Sequence, residues 1–395
     1  MSKKILTVLG IVFIFALLFG VYKINRLYNK VYTPKTNEVK KNKDTISILL
    51  LGYGGGNHEG TYLTDSMMIF QVNIKTKKAL ILSIPRDLWV KLPTESGDDF
   101  YSKINAVYTI GLSEKKFYPD LKEKYRGDGK LLKFVLESIT GIEIDNYLAV
   151  DFSGFVKAVD ALGGVVINVD KAFVDDKYPI DGKENDLCGK DAQFKEIAPF
   201  LQPGFNPVDR DNLIKNNQEL SALLTNATDS PELAFPCRYE RLEFKTGKQF
   251  MNGETALKFV RSRYSQENGG DFNRAARQQL FIAAIKQKLL SVDSITKFFP
   301  LLESLSNNIS TDLAIKEIQT MIKTAGDIKQ YQVKNMILSE DNYLINSMSD
   351  DGQYILIPKE GIDQWKNLKL GISNYSNDIT PAPTATASGS IKNIH

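Results

Sequence analysis

Histidine and cysteine are scarce in this chain of 395 residues, which holds only His58, His395, Cys188 and Cys237. Tetrahedral metal sites draw on clusters of such ligands, and the two histidines lie far in sequence from the cysteine pair, so a His/Cys metal centre is disfavoured. Charge of one sign is lacking too. Fifty basic side chains face 47 acidic ones for a formal net charge of +3, which gives no global attraction to nucleic acid. The Gly-rich turn Gly52-Tyr53-Gly54-Gly55-Gly56 has no Gly-Lys-Ser/Thr, so it is not a P-loop. A tight loop is its simpler reading, beside one in which backbone N–H groups approach a phosphate.

Long apolar runs are lacking except for one. Ile5 to Tyr22 is uncharged, follows Lys3 and Lys4, and is long enough to span a bilayer. It ends Leu18-Phe19-Gly20-Val21-Tyr22 with no small-residue cleavage signature, so an uncleaved transmembrane anchor is expected. Lys23, Arg26, Lys30 and Lys35 follow the run, and a count of flanking charge alone would keep that side inside. Long domains translocate largely regardless of charge. The expectation is a single-pass protein of the cytoplasmic membrane, with residues 1–4 inside, a linker at 23–44, and the main domain outside. Cys188 and Cys237 agree with that setting. Both fall in a polar stretch, Lys171–Lys245, which a disulfide would pin; two free thiols are the alternative, since sequence does not fix their separation.

Beyond the linker, apolar runs predict strands at Ile46–Leu51, Met67–Val72 and Ala79–Ile84, the last halted by Pro85. Helical spacing predicts helices at Ser102–Gly111, Lys130–Ile139, Ser153–Leu162, Gly253–Phe259 and Asn273–Leu290, with strands at Tyr147–Val150 and Val165–Val169. The alternation indicates an α/β fold, a three-layer sandwich with a central mixed β-sheet flanked by helices. Its domain is expected at 45–290, with the polar insertion at 171–245. An extension at 291–373 adds a helix at Ile315–Ala325 and a strand at Tyr354–Pro358, before a disordered tail from residue 374.

Positive charge is concentrated in one window. Lys258 to Gln279 carries five basic residues, Lys258, Arg261, Arg263, Arg274 and Arg277, against Glu267 and Asp271. In extended backbone Arg261 and Arg263 project to one side. On a helix Arg274, Arg277 and Gln278 share a face, and Asp271 is a suitable N-cap that puts Arg274 in the first turn. A cation at the positive end of a helix is unfavourable unless an anion neutralises it, so the pattern suggests a phosphate or pyrophosphate pocket. A solvated amphipathic helix is the plainer alternative. Arg86-Asp87, at the carboxyl end of a strand, lies where open α/β sheets place ligands, and Asp65 begins another strand. Each aspartate could equally be an ordinary partner of an arginine.

Taken in order, these segments resemble the LytR-CpsA-Psr family of envelope phosphotransferases. The resemblance rests on Asp65-Ser66-Met67-Met68, Ser83-Ile84-Pro85-Arg86-Asp87, Lys103-Ile104-Asn105-Ala106-Val107-Tyr108 and Val150-Asp151-Phe152 with Val159-Asp160-Ala161-Leu162-Gly163-Gly164. Asn252-Gly253-Glu254, Val260-Arg261-Ser262-Arg263 and Asp271 through Gln279 complete it. The resemblance implies transfer of an anionic glycopolymer from an undecaprenyl-pyrophosphate carrier to peptidoglycan through a phosphodiester, with no nucleic-acid partner. It implies a catalytic set of Arg86, Asp87, Arg261 and Arg263, and pyrophosphate contacts from these arginines with Lys103, Arg274, Arg277 and Gln278. It further implies Mg²⁺ on Asp65 and an orienting role for Asp271.

In one loop the chain departs from the family. Members carry an aspartate where Gly54 stands and an arginine where Leu63 stands. Glu59 or His58 could replace the missing metal ligand, because hard cations accept a nearby carboxylate. If Glu59 is that ligand, Glu59→Gln raises the Mg²⁺ concentration needed for half-maximal transfer. An unchanged Mg²⁺ dependence removes Glu59 from the ligand set.

Overall fold

The structure, a computed structural model, describes residues 44–56, 61–202, 207–290 and 308–377. The expected anchor at 5–22, nearly all of the linker, His58, Glu59 and the tail from 378 lie outside them. Among the described residues no helix is long and apolar enough to cross a membrane. The chain divides into two compact units, one built from the segments before and after residues 162–288, the other being Leu162–Lys288 itself.

Unit one opens with β1 (Thr45–Tyr53), β2 (Thr64–Asn73), β3 (Lys78–Ile84), β4 (Trp89–Lys91), β5 (Tyr101–Lys103) and β6 (Asn146–Asp151). In β1 buried positions alternate with half-buried ones, whereas β3 is buried along Ala79–Ile84, as an interior strand covered on both faces should be. The helix Lys130–Thr140 puts Leu131, Leu132, Val135, Leu136 and Ile139 inside, a spacing that places them on one face. Gly129 and Gly141 bound it, both with positive φ, and the second stops it as a left-handed C-terminal glycine does. Phe152–Ala161 follows β6 directly and buries Val159.

Unit two holds β7 (Val165–Val169), β8 (Phe173–Pro179), β9 (Tyr239–Phe244) and β10 (Gly247–Met251), paired antiparallel as β7 with β10 and β8 with β9. The expected polar insertion, 171–245, takes in β8 and β9 themselves, and the excursion between these strands has a small core of its own. Ile197, Leu220, Leu223, Leu224 and Phe235 are buried together, drawn from separate short helices. Cys188 and Cys237 are joined, with Cα atoms 5.7 Å apart, near the two ends of the excursion. Two longer helices complete the unit, Gly253–Arg261 and Gly270–Leu290, the latter ending at the boundary with unit one.

The chain then returns to unit one with β11 (Ile309–Thr311), β12 (Gln332–Ile337), β13 (Leu344–Met348) and β14 (Tyr354–Pro358). The central sheet runs β11-β6-β1-β2-β3-β12. Strand β12 lies parallel to β3, β6 parallel to β1, and β2 antiparallel to both β1 and β3. The sheet is therefore mixed, and the C-terminal region supplies both of its edges. The carboxyl ends of β1, β3 and β6 therefore share a rim with the amino end of β2.

Val159 is 1% exposed, and Val159→Asp would bury an unpaired carboxylate at a cost of at least about 3 kcal/mol. Urea unfolding should show a larger loss for it than for Leu162→Asp, at a half-buried position just past the helix; equal losses would contradict this packing. Replacing both cysteines by serine frees a loop with a sequence separation of 49, a cost of up to about 4 kcal/mol from chain entropy. Limited proteolysis should then cut first between residues 180 and 238, and an unchanged cleavage pattern would mean that the small helical core holds without the bond.

Candidate functional site

At the rim in unit one, Pro85 ends β3 and the next two residues turn their charges toward one another. Arg86 Nη1 lies 2.8 Å from Asp65 Oδ1 at the start of β2, and Arg86 Nε is 3.6 Å from Asp87 Oδ2. Lys103 Nζ donates to Asp87 Oδ1 at 2.9 Å. The backbone is fixed from two sides. Asn105 N–H donates to the Arg86 carbonyl, Ile104 N–H to Leu88, and Leu356 N–H of β14 to Asp87. Arg86 and Asp65 keep 24% and 41% side-chain exposure, so solvent reaches both.

The Gly-rich turn beside this rim takes its simpler reading. Gly55 N–H donates to the Thr61 carbonyl at 3.0 Å, closing the loop on itself. Gly55 has φ of 74°, and a Cβ there would stand 2.8 Å from Asp151 Cβ, so glycine is required. Asp151, quoted in the sequence motif without a role, accepts from Gly154 N–H at 2.7 Å and from Asn308 Nδ2 at 2.9 Å. It caps the helix that follows β6.

In unit two the arginine segment differs from the extended backbone expected of it. Asn252 caps a helix that continues through Arg261, driven by the burial of Ala256, Leu257, Phe259 and Val260 on one face. Arg261 thus closes the last turn, where a cation suits the helix dipole. Its guanidinium donates to Tyr178 Oη and to Asp181 Oδ1, both at 3.2 Å. Arg263 sits in the following loop, with Nε 2.8 Å from Asp271 Oδ1. The two arginines therefore have different partners.

Asp271 does not cap the next helix from outside. That helix begins at Gly270, so Asp271 lies within its first turn and holds Arg274 Nη1 at 3.2 Å as well as Arg263. An anion was expected where Arg274 meets the positive helix end, and the chain's own carboxylate supplies one. Arg274 is only 7% exposed, while Arg263 keeps 26%. Gln278 Nε2 reaches the Val260 carbonyl at 3.4 Å.

Arg277 was expected on the same face, ready for substrate. It is instead buried over the Phe173 ring and donates to the carbonyls of Phe259, Asn268 and Ser262. Burial pushes its pKa down to about 10, which still leaves it charged at neutral pH. Its counterpart is a residue that sequence reasoning missed. Asp175, fully buried on β8, accepts at Oδ2 from Ser262 Oγ at 2.6 Å, Arg263 N–H at 3.0 Å and Tyr264 N–H at 3.1 Å. A cation gathers the loop's carbonyls and an anion gathers its N–H groups. Gly269 completes the turn, because a Cβ there would collide with the Ser265 carbonyl. Asp175 left no local sign beyond being an acid inside a strand that starts apolar.

Metal chemistry finds partial support in the donors. Asp65 offers a solvent-reaching carboxylate, the hard oxygen that Mg²⁺ takes. Among the described residues, however, it stands in no group of three potential ligands; the only such group is Asp186, Cys188 and Cys237, whose sulfurs are bonded to each other. Asp65 alone is one ligand of a site.

Residues 19–369 match the LytR_cpsA_psr family. The chain is 26% identical over 357 residues to Biofilm regulatory protein A of Streptococcus mutans, covering 84% of this chain and 70% of that one. It is 27% identical over 287 residues to the polyisoprenyl-teichoic acid–peptidoglycan teichoic acid transferase TagU of Oceanobacillus iheyensis, covering 72% of this chain and 64%, a little under two thirds, of the relative. The crystal structure of Bacillus subtilis TagV has the same fold, with TM-score 0.52 at 21% identity over 86% of this chain and 100% of that one. A mixed sheet flanked by helices, an arginine loop clamped between buried charges, and a match over most of its length place this chain in the LytR-CpsA-Psr family.

Proposed function

We propose that the protein is a phosphotransferase that moves a glycopolymer from an undecaprenyl-pyrophosphate carrier onto peptidoglycan, forming a phosphodiester. In this reading residues 5–22 anchor it in the cytoplasmic membrane with the N-terminus inside and the two units outside. The observation that carries the proposal is the Arg263 loop, whose backbone is set by the chain's own Asp175 and Arg277. Phosphoryl transfer depends on positioning and charge stabilisation more than on covalent help from the protein, so preset guanidinium groups suit it. The relative TagU, named as a teichoic acid transferase acting on peptidoglycan, supports the same reaction class.

The proposed chemistry is a displacement at phosphorus. A sugar hydroxyl of peptidoglycan attacks the phosphorus that bears the glycan. The bond from that phosphorus to the bridging oxygen breaks, undecaprenyl phosphate leaves with that oxygen, and the proton of the attacking hydroxyl passes to the departing phosphate monoester. Arg261 and Arg263, both solvent-reaching, are assigned to phosphate oxygens, with Arg274 and Gln278 behind them. Arg86 and Lys103 carry the same assignment in unit one. Asp271 orients Arg263 and Arg274, and Asp87, held between Arg86 and Lys103, orients those two. Arg277 acts through the loop. Mg²⁺, with Asp65 as one ligand and Glu59 as a second, would add charge neutralisation; no step above depends on it.

Full-length protein in detergent, given a lipid-pyrophosphate-linked glycan and a peptidoglycan fragment, should yield the phosphodiester product by mass spectrometry. Bound lipid with no product would replace the transferase by a binding module, the reading favoured by Gly54 and Leu63. Arg261→Ala and Arg263→Ala should each lower transfer by about 100-fold, the scale of losing one preset donor, with unchanged unfolding midpoints. A folded variant of either with full activity would reject the pocket assignment. Asp175→Asn should reduce the transfer rate more than it weakens lipid binding, because every guanidinium group is still present while the loop that aims Arg263 loses its anchor.

A further inference from the structure

Beside the arginine loop lies a cleft, lined in part by Ser265, Gln266 and Glu267, that the reaction above does not use. It encloses about 430 Å³, within the range of small-ligand sites. Its floor is the outward face of the β8–β9 pair, where Asp176 follows the buried Asp175 and where Arg241 and Glu243 stand two apart, with Lys245 just past the end of β9. Gln266 and Glu267 close its side, and both belong to the same 262–269 loop that carries Arg263. The clamp that sets Arg263 therefore sets this wall too: Arg277 holds the Asn268 carbonyl, and Asn268 Nδ2 reaches the Ala172 carbonyl.

The charge of the lining narrows what it accepts. Three carboxylates, Asp176, Glu243 and Glu267, face two cations, Arg241 and Lys245, and Arg241 is already paired with Asp176. A polyanionic glycopolymer would meet net repulsion there. A ligand rich in hydroxyl groups, with isolated carboxylates and amines, would find a donor or acceptor at each position. Given the transferase reading, on which this inference rests, one of the two substrates has that chemistry. We infer that the cleft is the acceptor subsite, holding the peptidoglycan strand and its stem peptide beside the loop that bears Arg263.

Two measurements on full-length protein separate this inference from the reaction assigned above. The first is calorimetric binding of a soluble peptidoglycan oligosaccharide carrying its stem peptide, compared with Arg241→Ala/Glu243→Ala and with the volume-conserving Glu243→Gln/Glu267→Gln. Each pair should weaken binding by about tenfold, equivalent to ~1.4 kcal/mol, while affinity for the lipid-linked donor stays at the wild-type value. Wild-type affinity for the oligosaccharide in both folded variants would overturn the inference, as would absence of binding by the wild type. The second is transfer, in which each pair should raise the KM for the oligosaccharide by a similar factor. If the wild type binds the oligosaccharide and transfers nothing, the reaction assignment fails while the binding comparison still decides the cleft.

Discussion

One buried carboxylate carries much of the organisation of unit two. Asp175 has no contact with solvent, and a charge so placed is tolerable only when donors surround it. It finds them in a hydroxyl and two consecutive backbone N–H groups of the loop between two helices. Removing those partners would leave the charge uncompensated, so the strand and the loop are bound to each other by the cost of separating them. Arg277 repeats the logic with the opposite sign, gathering carbonyls from Phe259, Ser262 and Asn268. The loop has little freedom left.

The chain itself supplies counter-charges to a segment dense in arginine. Arg263 and Arg274 share Asp271, and Arg261 is taken up by Tyr178 and Asp181. These partners hold the cations in place while leaving Arg261 and Arg263 partly open to water. Of these partners Asp181 is 66% exposed, whereas Asp271 is 21% exposed. Order and availability are thereby divided between two sets of groups.

Unit one applies a different constraint to the same kind of residue. There the mixed strand directions bring the amino end of β2 to the carboxyl ends of its neighbours, so Asp65 and Arg86 meet although 21 positions separate them. The last part of the chain contributes as well, since β12 extends the sheet and β14 supports the backbone of Asp87. A region that could have been an appendage is part of the framework.

Much of this was legible in the chain itself. Apolar periodicity placed β1, β2, β3 and the helices at 130–140, 152–161 and 253–261 within a few residues, because period and turn chemistry are local properties. Arg86 and Asp65 could be assigned to strand ends for the same reason. The extended reading of Arg261 and Arg263 failed because two charges at alternate positions look alike in a strand and at a helix end, and the buried face of Ala256, Phe259 and Val260 decided between them. The small core of the insertion was hidden, as its members come from short separate segments, Ile197, Leu220 to Leu224 and Phe235, that only tertiary folding brings together. Sequence alone determined which elements form and where cationic side chains concentrate. Tertiary structure alone decided which of those charges are buried as supports and which face solvent, because that depends on partners such as Asp175 and Asp271 whose separation in sequence carries no signal of their contact.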